Sequence, residues 1–125
     1  MTEQDQIREL AILDGWTFNP AGKDSFGTNY AEFWQTGGAG EITCAKPPDY
    51  LGGYNLILPL IRKLFGKDKF TKGHFIQTLR NMREKEYQNL ISDYWHIFDV
   101  VLLATPKELC EAVLKATEKW KYENA

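Results

Sequence analysis

Apolar and polar residues fall into blocks along the chain, and each block has its own period. In TEQDQIRELAILDGW, residues 2–16, Ile7, Leu10, Ala11 and Asp14 recur at helical spacing and Gly15 supplies a terminator, which predicts a first helix ending near Gly15. The segments NYAEFWQT and GEITCA are short and rich in β-formers. They predict two antiparallel strands near 30–36 and 40–45 with GGAG as the connection, and an earlier strand at Trp16–Phe18. Beyond them, Leu56, Leu60, Ile61, Leu64 and Phe65 make one apolar stripe of a second helix. Pro59 bears on where that helix begins, because a proline deep in a helix removes a hydrogen bond and clashes with the preceding turn. A start at Asn55 lets that residue act as cap and leaves Pro59 near the first turn, whereas a start at Tyr50 requires a kink; the later start is the reading adopted.

After the polar break FGKDKF, Thr71–Tyr87 predicts a third helix with Thr71 as cap and Phe75, Ile76, Leu79 and Met82 on one face. YWHIFDVVLLA, Tyr94–Ala104, is almost continuously apolar, as a central strand covered on both faces would be. The last helix has the plainest start signal: TPKE offers Thr105 as cap, Pro106 at the first helical position and Glu108 to reach back in a capping box. Leu109, Cys110, Val113, Leu114 and Trp120 form its inward stripe. The order α-β-β-α-α-β-α predicts one α+β domain over residues 1–125, with helices packed on a small antiparallel or mixed sheet.

Composition adds bounds to this outline. A chain of 125 residues, 43% hydrophobic and 26% charged, suits a single folded domain and argues against wholesale disorder. The longest apolar run, VVLLA, is far short of the ~20 residues of a membrane span, so no membrane partner is expected. The polar, acidic start MTEQDQIREL does not read as a secretory signal, which predicts an intracellular protein with Cys44 and Cys110 as thiols.

Charge is uneven. Residues 62–85 carry eight basic side chains (Arg62, Lys63, Lys67, Lys69, Lys72, Arg80, Arg83 and Lys85) against Asp68 and Glu84, a net +6 inside a chain whose overall charge is -2. Such a segment is either an anion-binding face or a solvated surface that keeps the protein soluble. Chemistry-bearing motifs are sparse. Two His and two Cys lie scattered, without metal-ligand spacing, and no cofactor is expected. His96 reads as a core residue and His74, beside Lys72, as the better anion contact. Ser25 and Ser92 lack the glycine-flanked elbow of a hydrolase nucleophile. The pair Gly52-Gly53 in PPDYLGGYN lacks the spaced glycine and lysine of a phosphate loop. Trp16, Trp34, Trp95 and Trp120 read as core. Tyr50 and Tyr54 flank the glycine pair and are expected to be exposed, able to stack on a base while nearby cations meet phosphate.

Three stretches carry a family resemblance. PDYLGGYNLILPLIRKL, Pro48–Leu64, resembles the lead-in to the second helix of the small phage ABA sandwich proteins, ATPKELCEAVLKATEKWKYE, Ala104–Glu123, resembles their C-terminal helix, and ILDGW fits the same pattern. The resemblance implies a three-layer α/β/α sandwich with about four helices, encoded by a phage or prophage and acting in the bacterial host cytoplasm, with no catalytic residues. The expected function is a non-enzymatic accessory protein that counters bacterial defence by sequestering a small anionic nucleotide signal. Its expected ligand site is Lys46, Tyr50, Tyr54, Lys69, Lys72, Arg80 and Arg83. The alternative is an interaction module that inhibits or recruits a host or phage protein through an apolar face. Under either reading, assembly as a homo-oligomer is also an expectation. Nucleic acid is not an expected partner, because an acidic chain is repelled by a phosphate backbone.

Overall fold

The computed structural model describes residues 1–36, 42–84 and 104–122. The first helix, α1 (Glu3–Leu13), starts where Thr2 Oγ1 accepts the Asp5 N–H at 3.1 Å, with Glu3 and Asp5 set against the positive end of the helix dipole. It stops at Asp14 and Gly15. Gly15 has φ +95°, a left-handed conformation that a side chain disfavours, and its N–H donates to the Ile12 carbonyl. No basic residue stands in the last turn of α1. Lys63 supplies the missing cation from elsewhere in the fold, donating to the Asp14 carbonyl at 3.0 Å.

Five short strands follow: β1 (Trp16–Asn19), β2 (Gly22–Lys23), β3 (Asn29–Tyr30), β4 (Phe33–Thr36) and β5 (Thr43–Cys44). They form an antiparallel sheet of order β1-β4-β5 and a separate β2-β3 hairpin. In the larger sheet Trp34 stands opposite both Phe18 and Cys44. Its buried ring meets Phe18 with centroids 5.1 Å apart. The hairpin is held at its tip by Asp24, whose Oδ1 accepts from the Phe26 and Thr28 N–H groups at 2.9 Å. This hairpin was not legible from the residue pattern, because two-residue strands show no period.

The second helix, α2 (Tyr54–Phe65), corrects the sequence reading in two ways. It begins one residue before Asn55, and the cap position is taken by Gly53, without a side-chain bond. Pro59 therefore lies in the second turn, where the Asn55 carbonyl loses its helical donor. The inward stripe is Ile57, Leu60 and Phe65, with Ile61 and Leu64 partly buried against them, while Leu56 is 39% exposed. Ile57 precedes Leu60 by three and Ile61 by four, so it sits at the centre of the face; Leu56 precedes only Leu60 at helical spacing and falls on the edge.

The third helix, α3 (Lys69–Glu84), is capped by Asp68 rather than Thr71: Asp68 Oδ1 accepts the Thr71 N–H at 2.8 Å. That backbone bond, followed by the Thr71 hydroxyl, holds the Asp68 carboxyl below its usual range. The cap thus survives acid until pH falls through this lowered value. Phe75 and Leu79 are buried and Met82 packs against them, but Ile76 is half-exposed. The expected continuation of this helix past Glu84, the GGAG connection and all of the expected strand Tyr94–Ala104 except Ala104 lie outside the described residues.

The last helix, α4 (Pro106–Ala116), begins as its sequence predicts. The Thr105 side chain accepts the Glu108 N–H at 3.2 Å and the Glu108 carboxylate accepts the Thr105 N–H at 3.1 Å. Thr105→Ala is expected to lower the unfolding free energy by about 1 kcal/mol, measured by urea denaturation at unchanged slope.

Leu109, Cys110, Ala112, Val113 and Leu114 put α4 at the centre of the core, where it packs against α1, α2 and α3. Among the described elements, α1 also touches the sheet, through β1. The fold is α+β, with four helices and antiparallel sheets of three and two strands in the described residues.

Candidate binding cleft

The turn ahead of α2 is built by Asp49. Its Oδ1 accepts the Leu51 N–H at 3.2 Å and its carbonyl accepts the Gly52 N–H at 3.3 Å. A Cβ on Gly52 would come within 2.6 Å of the Asp49 carboxylate, which would have to shift to admit it. Gly53 is extended and meets nothing at its Cβ position.

Tyr50 does not face solvent, against expectation: it is fully buried. Its hydroxyl donates to Asp14 Oδ2 at 2.7 Å, and its carbonyl accepts from Cys110 Sγ at 3.2 Å. Burial, then the bond to Asp14 and that residue's negative charge, push the phenol far above its ordinary value. It stays a hydrogen-bond donor at all physiological pH. The same burial removes its ring from any ligand.

Cys110 shares this interior. Burial first, and the negative Asp49 second, push its thiol up to about 12. A protonated thiol is a poor nucleophile. Cys44, half-buried in β5, is more accessible. Alkylation of the native protein at pH 8 is therefore expected to modify Cys44 alone, with Cys110 reacting only in denaturant; mass spectrometry of the labelled peptides checks this.

Tyr54 is placed differently. Its hydroxyl donates to the Ala104 carbonyl at 2.8 Å, which ties the first turn of α2 to the lead-in of α4, while Tyr54 itself remains 45% exposed. It stands in the wall of a cleft of about 610 Å³ between α2 and α3. From α2 come Tyr54, Leu58, Ile61, Arg62 and Phe65, steps that keep to one helix face over about 16 Å. From α3 come Lys72, Phe75, Ile76 and Leu79, again one face. Gly66, Ala104 and Leu109 complete the described lining. Phe65 and Phe75 stack in it with centroids 4.8 Å apart. A Cβ on Gly66 would collide with the Arg62 carbonyl, so the end of α2 is held glycine-tight there.

The expected ligand residues divide accordingly. Tyr54 and Lys72 are brought together on the cleft. Tyr50 is enclosed in the core, and Lys46 and Lys69 are exposed away from the described lining, as is the half-buried Arg80. The Arg83 side chain lies outside the described residues. Arg62 lines the cleft and was not among the expected contacts, although it belongs to the +6 segment. Its signal was there: Arg62 lies eight residues after Tyr54, close to two full turns and hence on the same face. Lys63, one position on, points to Asp14, with Nζ 3.5 Å from Oδ1, so not every cation of the segment is available to a ligand.

Chemically the lining combines apolar walls, one half-exposed aromatic ring and two cations, with no carboxylate among its described residues. That is the usual make-up of a small-molecule pocket, in size as well as in polarity. Comparisons with models of protein families, with curated proteins and with solved structures find no match. The family resemblance in the sequence thus gains no support from them.

Proposed function

We propose that this protein is a non-enzymatic binder that sequesters a small anionic ligand in the α2–α3 cleft. The observation that carries the reading is the convergence of Tyr54, Arg62 and Lys72 on one 610 Å³ cleft with apolar walls. Apolar contact and the Tyr54 ring hold the body of the ligand, and the two cations hold its charge. Absence of a nearby carboxylate in the described lining favours an anion further. The phage setting and the role against host defence rest on the sequence resemblance alone.

Thermal melting against cyclic dinucleotides, ADP-ribose, adenosine monophosphate and simple aliphatic and aromatic carboxylates tests this. A ligand at 100 times its Kd adds about 2.7 kcal/mol, which for a chain of this length raises Tm by about 10 °C. The shift should vanish in Arg62→Gln/Lys72→Gln. Failure of every compound, or an equal shift in the double variant, sinks the proposal.

A second reading has its own support. Leu58 and Ile76, both half-exposed, face the cleft, and a helix from a protein partner laid between α2 and α3 would cover them. Capture of one stoichiometric protein by the wild type but not by Leu58→Asp, with no compound raising Tm, would favour this reading over the first.

A further inference from the structure

We infer that the ligand of the cleft is an amphiphilic anion, a hydrocarbon or aromatic body ending in one acid group, rather than the nucleotide expected from the sequence; the inference rests on the ligand-cleft reading above. It follows from what the walls are able to recognise. A nucleobase and its sugar carry donors and acceptors all round their edges, and a site that buries them must pair them. The described lining offers one hydroxyl, on Tyr54, and its proton is already given to the Ala104 carbonyl. That carbonyl already accepts one bond, and it offers no donor. The described lining holds no serine, threonine, asparagine or glutamine to read a base edge.

What remains is one kind of polar chemistry and a large apolar surface. Arg62 and Lys72 are both exposed, so each presents its charge to a ligand without first being desolvated in the core. Tyr54, Leu58 and Ile76 are 45%, 49% and 44% exposed, which leaves apolar area for a ligand to cover. An acid group on the cations and a hydrocarbon body along the α2 face satisfy both features at once. A phosphate ester with a sugar and a base satisfies only the first.

Isothermal titration calorimetry of the full chain with hexanoate, octanoate, decanoate, octan-1-ol and adenosine monophosphate tests the inference at fixed ionic strength. Each added methylene should tighten binding about fourfold, from the usual gain on burying a CH₂ group. Octanoate should bind at least about tenfold more tightly than octan-1-ol, since a charge-assisted contact is added. Arg62→Gln/Lys72→Gln should abolish that advantage and leave octan-1-ol affinity unchanged, with an unaltered melting curve showing that the fold is intact. Affinity independent of chain length, or equal for acid and alcohol, overturns the inference. If adenosine monophosphate binds and the acids do not, the ligand class is wrong while the cleft still binds a small anion. If none of the five binds and the panel of anions above also fails, both readings fall.

Discussion

Tyr50→Ala is expected to destabilise the protein by about 3–5 kcal/mol, a large part of the stability of an ordinary domain. Tyr50 is fully buried, its hydroxyl on Asp14 at the end of α1 and its carbonyl on Cys110 of α4, so removing the ring leaves a cavity in the core. Tyr50→Phe separates the ring from the hydroxyl. It should cost about 1–3 kcal/mol, the range for a hydrogen bond to a charged acceptor, because Asp14 loses its donor while the packing stays. Urea denaturation of both variants measures the difference. A cost below about 1 kcal/mol for the alanine variant would contradict the buried placement and would return Tyr50 to the exposed, ligand-facing role read from the sequence. Octanoate affinity gives the complementary check, since Tyr50→Phe should leave it unchanged and Tyr54→Ala should weaken it.

Ile57→Ala is expected to cost about 2–5 kcal/mol, and Leu56→Ala, one residue away, less than about 1 kcal/mol. The pair measures the rotation of α2. Ile57 has no exposed surface, whereas Leu56 keeps 39% of its own in water and so has less to lose on truncation. If the two costs came out reversed, the inward face of α2 would be the one that the sequence suggested, and the cleft face with Tyr54 and Arg62 would turn away from α3. The comparison therefore tests the geometry of the cleft without any ligand.

Features decided within one turn of chain were legible in the sequence. The capping box at Thr105 and Glu108 is a local exchange of hydrogen bonds, so its residue types specify it wherever the helix goes. The Gly15 stop belongs to the same class. β1 and the antiparallel pairing of β4 with β5 were legible from β-forming residues instead, although the single strand expected near 30–36 is two, β3 and β4, in different sheets. The rotation of α2 was not legible, because Leu56 and Ile57 both fit a helical spacing and burial alone chooses between them. The cap of α3 was misplaced for a related reason: Asp68 and Thr71 are both cap formers, but Thr71 already lies in the first turn and Asp68, just before it, takes the Thr71 N–H.

The candidate site was legible only in part. A tyrosine in a Pro/Gly turn looks exposed, and nothing near Tyr50 in sequence announces Asp14 or Cys110 as its partners. Tyr54 and Lys72 were named for sound chemical reasons, but their meeting depends on how α2 lies against α3. Arg62 is one cation among eight, and the mark that singles it out, the helix face it shares with Tyr54, follows from spacing; that this face looks onto α3 needs the tertiary structure. Its neighbour Lys63 shows the converse, a cation of the same segment whose contact is the end of α1.

The bonds that fix the two tyrosines reach far along the chain. Tyr50 to Asp14, Tyr54 to Ala104 and Cys110 to Tyr50 join residues 36, 50 and 60 positions apart. Each closes a long loop, and the entropy of closing it is lost before the contact returns anything. During synthesis the PPDYLGGYN corner leaves the ribosome well ahead of α4, whose Cys110 and whose neighbour Ala104 anchor it. The contacts of the corner to Cys110 and Ala104 therefore form only when α4 arrives, and the wall of the cleft that carries Tyr54 is completed at the same late step.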